Sequence, residues 1–420
     1  VQAEVAGEVT RSLEATLLPE EQVALAEAPT ASMAAYDLYL LGRHHQQTRT
    51  EEALTRAVDY FEQAIAEDPD YVLAYAGLAQ SLILLTSYGN LSGADAMPAA
   101  RAHIDTAMAL DPERSEVWAT EGLYQLQTTD NPKAIEALER AIELDIQNYH
   151  AWLWYGNSLQ VARRYPEHLE ALQVAYSLEP LSQPVNNNLA GTDQQRGDFV
   201  RSRQHWERVD QIDDLNPTQY RENVAWTYVQ GGDLSQAVIT GRDILALDAA
   251  NADTMSLLTN AYVELGDLAE ARRWAEAQER LRPFDSPFYW QYAARGDFDG
   301  LQTYLEDKRA VMQAESDQYI FGLFQAAYLG RQVESARAYL NRWLGDRGGR
   351  MEISPGNSWH WDTLLVASFL IEHGEDSPGG PQRGREMVAE VQRGLSTLNA
   401  QGFVHPSTWM GLAMSHALSG

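Results

Sequence analysis

Apolar residues fall at helical spacing along this chain, and the helical segments come round at a fixed interval. Val5, Val9, Leu13 and Leu17 open the pattern, at the spacing of one buried helix face. Further on, small residues form ladders. Ala100, Ala134, His168, Ser202, Ala237 and Ala271 follow one another at spacings of 34, 34, 34, 35 and 34. Ala79, Gly122, Gly156, Ala190, Ala225 and Thr259 form a second ladder, and Pro69, Pro112, Ile146, Pro180, Asp214, Ala249 and Pro283 a third. A period in this range marks a solenoid, in which each unit buries its apolar face only by stacking on its neighbours. Small residues belong where the two helices of a unit cross, since larger ones would force the backbones apart. The prolines close each second helix, because a ring without an N–H cannot continue it. No convincing period-2 segment lies between the repeats, so the expected fold is all-α.

The pattern divides the chain into three stretches. Residues 1–35 read as linking helices at the end of a preceding domain, with Val1 to about Leu18 amphipathic. Residues 36–283 read as seven repeats, and 284–420 as looser helical repeats with a capping helix. The unit from Pro69 to Pro112 is 43 residues long, and its excess is expected in a turn from Tyr88 to Asp95. Gly197-Asp198, Gly232-Asp233, Gly266-Asp267 and Gly296-Asp297 mark tight turns inside repeats, where Gly supplies a positive φ. Beyond Pro283, helix pairs are expected at Tyr289–Gly296 with Leu301–Met312, Tyr319–Gly330 with Ser335–Leu344, and Trp359–His373 with Arg385–Leu398. Gly345–Asn357 reads as a loop, Gly374–Gly384 as the segment most prone to disorder, and Ser407 to Ala417 as a last helix.

These residues resemble the tetratricopeptide repeat family, whose first helix carries an aromatic, a Leu, a small residue and a Tyr. Its second helix carries Ala, an aromatic, Ala, then Pro. Trp152, Tyr155, Gly156 and Leu159 with Leu172, Ala175 and Pro180 match that signature. So do Trp118, Gly122, Ala134, Leu138 and Ala141, and Ala57, Phe61, Ala64 and Pro69. Asn186, Arg221 and Met255 depart from it, standing where the aromatic is expected. The resemblance implies a right-handed superhelix of helix-turn-helix repeats that binds a protein or peptide in a concave groove. A narrower resemblance lies in Val1–Ala6, Ala28-Pro29-Thr30 and Ala35–Arg43, continuing through Leu78. It is to bacterial signalling proteins with a TolB-amino-terminal-like (FlgO-like) domain followed by repeats, some of them adenylate or guanylate cyclases, Ser/Thr kinases or winged-helix regulators. That resemblance implies a fragment of a larger membrane-tethered protein, on the periplasmic side of the inner membrane, with the cytoplasm as the alternative.

Charge narrows the partners. The formal net charge is −29, which argues against nucleic acid, since phosphate attraction needs a basic stripe. Lys133 and Lys308 are the only lysines among 31 basic residues. With no cysteine, disulfides, thiolate metal sites and cysteine nucleophiles are excluded. Val1-Gln2-Ala3-Glu4 lacks the charged start and apolar stretch of a signal peptide, so none is expected in these residues. Tyr71–Ala94 carries no charge over 24 residues, long enough to span a bilayer. Its polar residues and repeat phase read instead as a buried repeat helix.

Chemistry-bearing motifs are sparse. Neither a Walker-type run nor GxGxxG occurs, and no catalytic residue, metal or cofactor is expected. His44-His45 point about 100° apart on a helix and lack a partner at ligand spacing. Trp359-His360-Trp361 is a candidate binding edge, although Trp361 reads as a packing residue. Repeat phase places Leu153, Asn157, Gln160, Asn187, Gln194, Glu222, Trp226, Gln230, Asp253, Ser256 and Asn260 along the inner wall. Leu73, Ala76, Ile83, Leu123 and Leu126 make its N-terminal end apolar. Amides there offer donor and acceptor to a peptide backbone. The candidate partner-binding residues are therefore Asn157, Asn187, Gln194, Trp226 and Asn260, for a neutral or basic protein or peptide segment. No Lys or Arg falls at the matching inner positions, so holding a peptide carboxylate, as some family members do, is not expected. Self-assembly into homo-oligomers is the alternative role.

Overall fold

The computed structural model describes residues 30–212, 218–282, 298–307, 317–347, 359–377, 380–403 and 406–419. Among these residues there are twenty α-helices and no strand. They form two compact units that divide between Glu179 and Pro180.

The first unit holds four helix pairs: α1 (Met33–Thr48) with α2 (Glu51–Glu67), α3 (Val72–Tyr88) with α4 (Gly93–Leu110), α5 (Ser115–Gln127) with α6 (Asn131–Leu144), and α7 (Tyr149–Val161) with α8 (Tyr165–Leu178). The helices of a pair pack on each other, and the first helices form a row: α1 touches α3, α3 touches α5, and α5 touches α7. This is the solenoid of helix-turn-helix repeats expected from the ladders. Ser32, Thr50, Ser92, Asp130 and Asn148 cap helix N-termini with their side chains, each satisfying an otherwise orphaned N–H. At the other end Asp68, Asp111 and Asp145 turn the chain out of the second helix. Each donates its N–H to the helix and accepts a backbone N–H two residues on.

The long unit departs from expectation. Helices α3 and α4 have 17 and 18 residues where α5 and α6 have 13 and 14. Most of the excess therefore lengthens both helices, and only 89–92 form the turn. Extra helical turns bury more apolar surface than an exposed loop would, and ten residues of α3 are buried. No described helix is long and apolar enough to cross a membrane.

Ladder residues sit at the crossings. Ala100, Ala134, Ala79 and His168 are buried, and Phe61 of α2 wedges between Gly42 of α1 and Gly77 of α3. A brace also recurs: Trp118 and Trp152 each donate the indole N–H to a carbonyl six residues earlier, Pro112 and Ile146, at 2.8 Å.

The second unit runs through α9 (Gln183–Gln195), α10 (Phe199–Ile212), α11 (Gln219–Gln230), α12 (Leu234–Leu247), α13 (Ala252–Glu264) and α14 (Leu268–Leu281). It continues through α15 (Phe298–Asp307), α16 (Asp317–Leu329), α17 (Val333–Arg347), α18 (Trp359–His373), α19 (Gly380–Ala400) and α20 (Pro406–Ser419). Ser202, Ala237 and Ala271 are fully buried at their crossings. Gly197, Gly232 and Gly266 have φ of 80°, 79° and 77°, as their turns require. Asn186 takes over the Trp brace, its amide donating to Pro180 O at 2.9 Å.

Gly374–Gly384, expected to be disordered, is ordered for the most part. Gly374–Asp376 form a 3-10 turn and α19 begins at Gly380. Gly384 has no room for even a Cβ, which would lie 2.8 Å from Ala367 O, so its composition serves close packing. Val1–Leu18, Tyr289–Gly296, Gly296-Asp297, Asp214, Pro283 and most of Gly345–Asn357 lie outside the described residues.

Candidate functional site

On the first-helix row of the first unit lies a small recess open to solvent. Four helices contribute: Tyr39 and Arg43 from α1, Leu73, Ala76 and Gln80 from α3, Glu116 and Ala119 from α5, and His150 from α7, with its cap Asn148. Its base is aromatic and fixed. The Tyr39 ring lies 5.8 Å from Phe61 and 5.2 Å from Tyr71, centroid to centroid.

Repeat geometry supplies the walls. Leu73, Glu116 and His150 occupy one position in successive repeats, and Ala76 and Ala119 another. The small second position leaves the space that the first position's side chains frame. Arg43 reaches in from α1, one residue after the Gly42 that lets α1 settle on Phe61. Its Nη1 donates to Tyr39 Oη at 3.0 Å, and its buried Nε has no partner. Burial pushes the Tyr39 phenol above its ordinary pKa, with Arg43 pulling against that.

Most amides nearby are already engaged, and they tie neighbouring repeats together. Gln80 donates to Thr120 Oγ1 at 2.7 Å, Asn148 to Ser115 Oγ at 2.9 Å, and Gln46 to Ser81 Oγ at 2.9 Å. The Glu116 carboxylate and the His150 ring differ. Neither has a hydrogen bond or ion pair among the described residues, and both are half-buried. His150 stacks on Trp154 at 5.0 Å. Burial holds its pKa well below the ordinary value, with Arg43 and Arg49 adding to the effect. The recess thus gathers a cation, an anion and a neutral imidazole whose bonding capacity is not used up. Convergent polar groups in such a state mark binding sites.

This corrects the sequence reading of an apolar N-terminal wall without inner cations. Leu73 and Ala76 do line the recess, but Ile83 and Leu123 are buried, and Arg43 supplies the missing positive charge.

The five candidates named from sequence are spread over both units. Asn157, half-buried, lies in the first; the other four lie in the second. Gln194 donates to Gln230 Oε1 at 2.8 Å, and Asn260 donates to Ser256 O of its own helix at 2.9 Å. Trp226, half-buried, packs against the cluster of Ala225, Val229, Ile244 and Leu258. Asn187 keeps a buried Oδ1 without a partner.

Other singled-out residues have local roles. Asn186 is fully buried, bonded to Pro180 O, Ser182 O and, as acceptor, the His205 Nδ1–H at 3.0 Å. The other ring nitrogen of His205 stands 3.8 Å from the buried carboxylate of Asp193. His45 stacks on Tyr60, and no metal-holding group of His, Asp and Glu occurs among the described residues. Trp359, His360 and Trp361 begin α18, and their side chains lie outside the described residues.

Fold and recess together define a helix-repeat protein with a charged recess on the row of first helices. No family model and no curated protein matches this chain. Among solved structures it is similar to PilF of Pseudomonas aeruginosa, with 19% identity over 52% of this chain and 94% of that one and a TM-score of 0.41. It is also similar to YrrB, a TPR protein with an unusual peptide-binding site, at 17% identity over 56% and 97%, TM-score 0.28. A tetratricopeptide repeat protein from Parabacteroides merdae aligns at 12% identity over 60% and 95%, TM-score 0.35.

Proposed function

We propose that this chain is a non-catalytic protein-interaction module, which holds a peptide or protein segment along the first helices of its first unit with Arg43 as an anchor. The observation that supports this reading is the Arg43 guanidinium, half-buried at an open recess, with one N–H donated to Tyr39 and no ion pair to a carboxylate among the described residues. Its remaining N–H groups can meet an incoming acceptor, and a hydrogen bond to a charged group contributes about 1.5–3 kcal/mol. The aromatic floor beneath keeps the anchor in place before binding, so little ordering entropy opposes association. In the wider protein the module would act as a sensory or docking arm of a membrane-tethered signalling chain, the setting that the N-terminal resemblance implies. A photo-crosslinking residue placed at Leu73, with a control at Ile239, tests the reading. Peptides selected from a displayed random library should crosslink at Leu73 and bind Arg43→Gln at least tenfold more weakly. Equal crosslinking at both positions, or equal binding to Arg43→Gln, would sink it.

A further inference from the structure

We infer that the recess recognises a pair of opposite charges, a carboxylate seated on Arg43 and a cationic side chain seated on Glu116. This inference rests on the peptide-holding reading and adds the chemistry of the segment held. Arg43 and Glu116 line the same recess from α1 and α5. Glu116 acts on the Arg43 charge, yet the two form no ion pair, so each is left to pair with a charge of the ligand. A guanidinium has five donors, and Tyr39 uses one of them. Glu116 has an unused carboxylate of the opposite sign. A purely acidic segment would satisfy Arg43 and leave its charges facing Glu116, and a purely basic one would face Arg43. A segment with an acidic and a basic side chain close together satisfies both walls, and the wrong pairings are penalised by like-charge contact.

Ala76 and Ala119, both buried, line the recess with small side chains that do not fill it. His150 adds a wall without a competing charge while it is neutral. Glu116 is therefore the specificity-determining residue, because it selects which anionic segments Arg43 accepts.

The test uses the full chain and four capped peptides of one length and otherwise neutral sequence. They carry an adjacent Asp–Lys pair, Asp with Gln, Gln with Lys, or Gln with Gln. At about 0.15 M ionic strength, the Asp–Lys peptide should bind the parent about tenfold or more tighter than either single-charge peptide. Glu116→Gln should erase the preference for Lys and bind the Asp–Gln peptide at least as tightly as the parent does. Arg43→Lys should weaken both Asp-bearing peptides. The Lys-to-Gln change in the peptide probes the same contact without touching the protein, so a variant that misfolds does not block the result. If Asp–Lys and Asp–Gln bind alike, and both depend on Arg43, the charge-pair inference falls while the peptide-holding reading stands. If none of the four peptides binds the parent, the charge-pair inference falls. If, in addition, library-selected segments ignore Arg43, the peptide-holding reading falls with it.

Discussion

At the scale of single residues, the turns inside repeats show how one backbone requirement is met in two ways. Gly197, Gly232 and Gly266 take the left-handed conformation freely, but Thr129, with φ of 65°, and Arg163, with φ of 60°, hold the same turn position. A β-branched residue there is strained by roughly 1–2 kcal/mol. Thr129 is exposed, so Thr129→Gly should raise stability by about 1 kcal/mol in urea titration. An unchanged midpoint would mean the turn is not strained. A buried acid gives a second residue-scale prediction. Burial, with Asp198 adding to it, raises the Asp193 pKa to about 6, against about 3.9 in an unfolded chain. A carboxylate raised in the fold supports the fold fully below the unfolded value, and that support fades as pH climbs from about 4 through 6. Asp193→Asn should therefore gain on the parent across that window, by about 2–3 kcal/mol at pH 7. Denaturation of both proteins at acid and neutral pH reads the gap, and a gap that does not widen with pH refutes the assignment.

At the scale of elements, close helix crossings set the period, and their cost can be read one by one. A Cβ built on Gly122 would stand 2.4 Å from Cγ of Leu138, which is fully buried, whereas one on Gly156 meets Leu172 at 3.1 Å. Gly122→Ala should cost about 1–3 kcal/mol by overpacking. Gly156→Ala should come out near neutral, since the helix gains about 0.5–1 kcal/mol from losing a glycine. Equal melting temperatures for the two variants would show that crossing distance does not govern the cost. The same crossings explain what the sequence made legible. Ala100, Ala134, Ala237 and Ala271 are spaced by the repeat because each must fit one crossing, so fold and phase could be read from them. The extra length of α3 and α4 could not, since Gly89–Ser92 resembles a longer turn than the one it forms. Asn186 looked out of place mid-helix because its amide does the work of the Trp indole in the brace. The recess was half legible. Leu73 and Ala76 follow the phase, and Glu116 and His150 stand one period apart at the position of Leu73. Arg43 escapes because the Gly42 beside it stands 37 residues before Ala79, outside the 34-residue step of the second ladder.

At the scale of the whole chain, net charge and the local recess act on different steps of binding. A net charge of −29 repels anionic segments over a Debye length of about 30 Å at 0.01 M salt and about 10 Å at 0.1 M. Contact with Arg43 and Glu116 is short-range and partly shielded from solvent, so salt reaches it much less. Association rate should therefore report the chain's overall field, and dissociation rate the recess. Three versions of the Asp–Lys peptide, flanked by lysines, glutamines or glutamates, separate the two. Stopped-flow measurement should find association of the lysine-flanked peptide slowing as salt rises and that of the glutamate-flanked peptide quickening. The glutamine-flanked one should barely change. Dissociation should stay within a few-fold across all three and should rise for each in Glu116→Gln. The opposite order of association rates at low salt would mean that Arg43 and Arg49 create a local positive field strong enough to overcome the net charge. In that case the partner to seek would be acidic overall, even though its contact pair is mixed.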